Sequence, residues 1–124
     1  MAITILVNAN GANVEANEKS TLGIVIDFTD DDGAAVAPTS ATWTLTDNSG
    51  NIINSQEDIV IASPASSETI TLSDNDLQIL SNETTLENVG RRFLIEAVYD
   101  SSLGTGLSLR DSCFFVIRNL AAVA

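Results

Sequence analysis

Period-two alternation of apolar and polar residues dominates this sequence and argues against a helical fold. From Ser20 to Thr29, Leu22, Ile24, Ile26 and Phe28 fall on one side of an extended chain, with Gly23, Val25 and Asp27 on the other. From Ala41 to Thr46, Ala41, Trp43 and Leu45 alternate with three threonines, the pattern of a half-buried strand. Between Arg91 and Tyr99, Phe93, Ile95, Ala97 and Tyr99 share one face, and Arg92, Leu94, Glu96 and Val98 share the other. In the last strand, Leu107 to Arg118, the residues Cys113, Phe115 and Ile117 are expected to point inward. Shorter strands are predicted at Ile3 to Val7, at Ile52 and Ile53, at Ile59 to Ile61, and at Glu68 to Leu72 with Ile70 and Leu72 inward.

Turn chemistry separates these runs. Asp30-Asp31-Asp32-Gly33 ends the second strand, Asp47-Asn48-Ser49-Gly50 suits a tight turn, and Asp100 to Gly106 suits a hairpin connection. One helical signal interrupts the pattern. Ser73 with Asp76 three positions on forms an N-terminal cap, and Leu77, Ile79 and Leu80 supply an apolar side. The expectation is one short helical turn near 74–80 in an all-β chain of about seven to eight strands, arranged as an antiparallel β-sandwich. A single domain over 1–124 follows from length, since a chain of 124 residues buries roughly two-thirds of its unfolded surface. With 44% apolar and 18% charged residues, the supply for a core is ample.

Charge and residue usage narrow the function. Seventeen acidic residues face five basic ones, giving a formal net charge of -12, and histidine is absent. Such a surface repels phosphate backbones, so no nucleic-acid partner is expected. Acidity of this kind is foremost a solubilising property, with attraction to a basic surface or to cations as the functional alternative. Without histidine, Ser-His-Asp and Cys-His schemes and the commonest zinc sets are unavailable, and no phosphate-cradling glycine loop is present. The chain is therefore read as a binding protein and not as an enzyme. Cys113 is the lone cysteine, so no intrachain disulfide forms, and its apolar neighbours predict a structural thiol. The N-terminal run lacks a basic region and a long apolar segment, and no stretch approaches a membrane span; neither an export signal nor a membrane partner is expected.

Trp43, on the third strand, stands where immunoglobulin-like domains place their core tryptophan, although no cysteine pair accompanies it. A narrower resemblance begins at Glu68. The strand and capped turn Thr69-Ile70-Thr71-Leu72-Ser73-Asp74-Asn75-Asp76-Leu77 precede the strand Arg91 to Asp100, a glycine-rich hairpin and the closing Phe114-Phe115-Val116-Ile117. This second half resembles small immunoglobulin-like modules of tailed-phage virions, found in capsid decoration and in tail or baseplate proteins. The likeness is one of residue types along the chain. It implies a non-enzymatic virion structural protein of a bacteriophage, a capsid decoration (cement) protein that docks on the head shell. The implied partners are the major capsid protein or other virion proteins, and the implied location is the virion, assembled in the host cytoplasm. A tail, neck or baseplate component is the alternative, as is a surface adhesion module that binds glycan or protein with calcium. Scarce aromatics, most at core positions, count against glycan binding.

Candidate contact residues are Ile3, Ile5 and Val7 at one apolar end and Leu120 and Val123 at the other, with strand addition as one mode, and a homo-oligomer as one outcome. Arg91 and Arg92 are candidates to pair with acids of a neighbouring subunit, although alternation sends one of the two toward the core. No cofactor is expected. Asp30, Asp31 and Asp32 are the candidate calcium ligands, but the EF-hand register fails because position one is Phe28 and position twelve is Thr39. Asp47 to Asn51 and the pair Asp74 and Asp76 are further oxygen clusters that turn and capping chemistry also explains. Asn82-Glu83-Thr84 matches a glycosylation sequon, read as coincidental in a chain without an export signal. Calcium added to the purified protein is expected to leave its melting temperature unchanged; a rise reversed by chelator would instead place a calcium site in the molecule.

Overall fold

A computed structural model describes residues 2–8, 15–29, 33–80, 83–101 and 104–120. The strands are β1 (Ala2–Asn8), β2 (Glu15–Asn17), β3 (Thr21–Thr29), β4 (Ser40–Asp47), β5 (Ile59–Val60), β6 (Ser67–Ser73), β7 (Asn88–Ser101) and β8 (Gly104–Arg118). They form one sheet in the order β1-β3-β6 and a second in the order β2-β8-β7-β4-β5. The fold is all-β and sandwich-like, as the alternation along the sequence predicts.

The two inner faces meet in one core, and alternation decides which residues enter it. Leu22, Ile24, Ile26 and Phe28 of β3 and Leu72 of β6 are buried against Ala41, Trp43 and Leu45 of β4, Phe93, Ile95 and Ala97 of β7, and Phe115 and Ile117 of β8. At the centre Trp43 stacks on Phe93 with ring centroids 5.5 Å apart and planes inclined by 25°. The offset of two aromatic quadrupoles adds to what their buried area contributes.

The structure corrects four details of the expected pattern. Not every pair is antiparallel: β2 runs parallel to β8, with Glu15, Ala16 and Asn17 opposite Val116, Ile117 and Arg118. The chain pairs as β1 with β3 in one sheet and re-enters as β2 in the other, so it meets β8 running in the same direction. Three residues, Glu-Ala-Asn, are too few to show alternation. The returning strand expected at Ile52 and Ile53 is one bridge, Thr46 to Ile52. Asn54 and Ser55 adopt φ of 52° and 58°, which turns the chain away and leaves Ile53 buried in the core. Pairing in β5 stops at Val60, and Ile61 instead donates its N–H to the Ala41 carbonyl at 3.0 Å.

The helical segment is a single 3-10 turn over Asp74–Leu77, shorter than 74–80, because Gln78 is already extended. Asp76 holds it together. Its Oδ2 accepts the Ser73 N–H at 3.2 Å, and its Oδ1 accepts the side-chain amides of Asn54 at 2.9 Å and Gln56 at 2.8 Å. One buried carboxylate thus ties the loop after β4 to the turn after β6. At the other end of the molecule the β7–β8 hairpin closes through Gly106, whose N–H bonds Asp100 Oδ1 at 2.8 Å and whose φ of 65° suits glycine.

Phe93→Ala is expected to lower unfolding free energy by about 3–5 kcal/mol in a denaturant titration. Arg92→Ala, one residue away on the opposite face, is expected to cost less than about 1 kcal/mol. Equal costs would contradict the assignment of inner and outer faces.

Candidate interaction surface

The register of β7 separates two adjacent arginines. Arg91 follows Phe93, Ile95, Ala97 and Tyr99 onto the inner face and is fully buried; Arg92 points out and is exposed. A buried guanidinium requires a carboxylate, and Glu83 supplies it. Arg91 Nη2 bonds Glu83 Oε1 at 2.6 Å and Nη1 bonds Oε2 at 2.9 Å, a bidentate pair. Two carbonyls, Gly90 at 2.9 Å and Gln78 at 3.2 Å, take further donors, while Nε has no partner. Arg91 is therefore committed inside the chain and is not placed to reach a neighbouring subunit. Glu83 also accepts the Leu80 N–H at 3.0 Å. Burial raises its pKa, but the hydrogen bonds from Arg91 and Leu80 and the Arg91 charge outweigh that, so its carboxyl lies below the usual range.

Arg92 belongs to a different environment. Its guanidinium carbon lies 4.6 Å from the centroid of the Phe114 ring, directly across the ladder on β8. Phe114 is 56% exposed, the one aromatic at the surface; Trp43, Tyr99, Phe28, Phe93 and Phe115 are buried. The same register puts Glu96 opposite Arg110, with Nε to Oε2 at 3.7 Å in an exposed pair, and Asn88 opposite Arg118. Val60, opposite Thr42 at the far edge, is 74% exposed. Between Thr42, Glu96 and Arg110 runs an open groove of about 380 Å³. The outer face of the five-stranded sheet therefore carries arginines, an exposed phenylalanine and aliphatic side chains. The outer positions of β3 and β6 are instead Thr21, Gly23, Val25, Asp27 and Thr29 with Ser67, Thr69, Thr71 and Ser73, mostly hydroxyl-bearing and without a cation.

The remaining candidates fall elsewhere. β1 pairs along its length with β3, and Ile3, Ile5 and Val7 stand opposite Phe28, Ile26 and Ile24, the core-facing set. Leu120 is 53% exposed just past β8, next to a buried Asn119 whose side-chain amide bonds the Thr84 carbonyl at 3.1 Å. Val123, the acids Asp30, Asp31 and Asp32, and the sequon residue Asn82 lie outside the described residues. Phe114 was missed by the sequence reading, although the alternation that sends Cys113 and Phe115 inward also sends Phe114 outward.

Oxygen clusters near the turns serve the backbone. Asp47 Oδ1 accepts the N–H groups of Ser49 at 2.8 Å and Asn51 at 3.0 Å, and Oδ2 accepts the Asn51 amide at 3.0 Å. Those bonds, against a burial effect of opposite sign, leave its carboxyl below the usual range. No group of three or more acidic or cysteine side chains that could hold a metal occurs among the described residues. Cys113 is partly buried at the rim of the core, and burial first, then the charge of Asp111, pushes its thiol up to about 11. It is a thiol at neutral pH and a poor nucleophile. Comparison with known proteins returns no matching family model and no matching curated relative.

Because Glu83 has a lower pKa folded than its ordinary 4.5, the pair's stabilisation is fully present above that value and is lost as pH falls through the folded pKa. Thermal melts are expected to show stability declining below about pH 4.5, with a shallower acid limb in Glu83→Gln. At neutral pH Glu83→Ala is expected to destabilise by about 3–5 kcal/mol, since it strands a buried arginine.

Proposed function

We propose that this chain is a non-enzymatic virion structural protein, a capsid decoration module that docks on an assembled head shell through the outer face of its five-stranded sheet. The observation that carries the docking reading is the contrast between the two outer faces. Arginine and aromatic residues are enriched at protein interfaces, and serine is depleted. The face of β4, β5, β7 and β8 has Arg92, Phe114, Arg110 and Val60 exposed among its serines and threonines, whereas the outer positions of β3 and β6 are mostly threonine and serine, without a cation or an aromatic. A rigid sheet is also suited to the role, because its contact residues are held by the ladder and lose little freedom on binding. The virion assignment rests on the resemblance of the second half of the chain to immunoglobulin-like modules of phage particles. Docking across capsomer joints would bury surface on two subunits at once and so oppose shell expansion.

The test is cosedimentation of purified protein with empty phage capsids, followed by thermal denaturation of the shells. Saturable binding and a raised shell melting temperature are expected, with both lost in Phe114→Ser. Binding confined to tails would support the tail or baseplate alternative, and absence of the protein from virions would refute the proposal.

A further inference from the structure

Three of the four exposed cations of this acidic protein are gathered on one face. Of the five basic residues, Arg91 is buried with Glu83, and Lys19 lies in the turn before β3. The other three, Arg92, Arg110 and Arg118, all project from the outer side of β7 and β8, where the ladder sets them opposite Phe114, Glu96 and Asn88. Seventeen acidic residues are spread over the chain, yet among the described residues the carboxylate that contacts these arginines is Glu96, at 3.7 Å from Arg110. In a molecule of net charge -12, cations dispersed among acids would relieve more self-repulsion than cations grouped together. The grouping forgoes that gain.

We propose that this face docks a carboxylate-rich protein surface, with Phe114 entering an apolar recess and Arg92, Arg110 and Arg118 pairing with acids around it. The inference rests on the reading of this face as the docking face and adds the chemistry of the partner. The Arg92 guanidinium lies over the Phe114 ring, a contact with the π face that uses none of its N–H donors. Those donors form the planar fork that matches a carboxylate in two parallel hydrogen bonds. Overall negative charge does not forbid such a partner. At physiological salt the screening length is about 8 Å, so contact is governed by the local groups, where Arg92, Arg110 and Arg118 outnumber Glu96 on β7 and Glu15, which the register sets opposite Val116. A nucleic acid offers anions too, but its continuous phosphate charge meets the repulsion of the whole molecule, and a single exposed aromatic cannot stack successive bases.

The test is a nuclear magnetic resonance titration of the isotope-labelled full chain with three probes. They are a short soluble peptide of glutamates interspersed with leucines, its lysine counterpart, and single-stranded oligothymidylate. The acidic peptide is expected to shift amides of β7 and β8 around Arg92, Arg110 and Phe114, and the basic peptide to shift resonances elsewhere. Arg92→Ser combined with Arg110→Ser is expected to weaken the acidic peptide about tenfold, as is Phe114→Ser, with melting temperatures close to the parent. Shifts that ignore these substitutions would overturn the inference. So would tighter binding of the oligonucleotide on the same face, or shifts that depend on protein concentration without any probe, which would identify a second copy as the occupant. Capsid binding without a response to the acidic peptide would sink this inference and leave the decoration role standing. Peptide binding without capsid binding would do the reverse.

Discussion

The register of β7 between β4 and β8 is the constraint on which the rest of the molecule depends. It puts Phe93 beneath Trp43, Ile95 and Ala97 in the core, and Arg92 against Phe114 outside. Side chains in a strand alternate with a period of two, so a slip of one residue would exchange the two sets completely. Arg92 and Glu96 would then enter an apolar interior, and Phe93 and Ile95 would meet water. The free energy of that exchange, several buried hydrophobic side chains against two unpaired charges, locks the register. Both the core and the candidate docking face follow from the same lock.

At the end of the sandwich where β7 begins, the inner face needs a polar closure. Arg91 occupies the inward position there, and its fully buried guanidinium binds the Glu83 carboxylate and the Gln78 carbonyl. Asn119 fastens the neighbouring loop to the end of β8, through bonds to Thr84 and Glu87. Asp76 does the same for the loop at 54–56, as an acceptor of three neutral donors. Long connections between strands are thereby held by single buried polar groups, each with its partners from another segment. Such groups are costly to leave unpaired, which makes the loop geometry specific as well as stable.

Function enters through the difference between two surfaces that share one core. On β3 and β6 the outward positions are mostly threonine and serine, without a cation; the five-stranded sheet turns outward three arginines and an uncovered phenylalanine. Nothing about the core demands this asymmetry, because outward positions contribute little to folding. The proposed docking role assigns this asymmetry to a partner. The exposed Arg110–Glu96 pair is long and solvated, so it contributes little to stability and is free to exchange for contacts with that partner.

Alternation alone was enough to determine that this chain is all-β, which strands carry the core, and that Trp43, Phe93 and Phe115 lie inside. Burial of one face of a strand writes itself directly into neighbouring residues. Lack of histidine likewise removes Ser-His-Asp and Cys-His schemes and the commonest zinc sets on sequence grounds alone. Tertiary structure decided what depends on residues distant in sequence. It showed that β2 joins β8 in parallel, that Ile53 turns inward instead of extending a strand, and that the acid buried with Arg91 is Glu83. It also decided that Arg92, Arg110 and Arg118, up to one strand apart, share a face with Phe114. A pairing partner is set by the path of the whole chain, and no local pattern of residues encodes it.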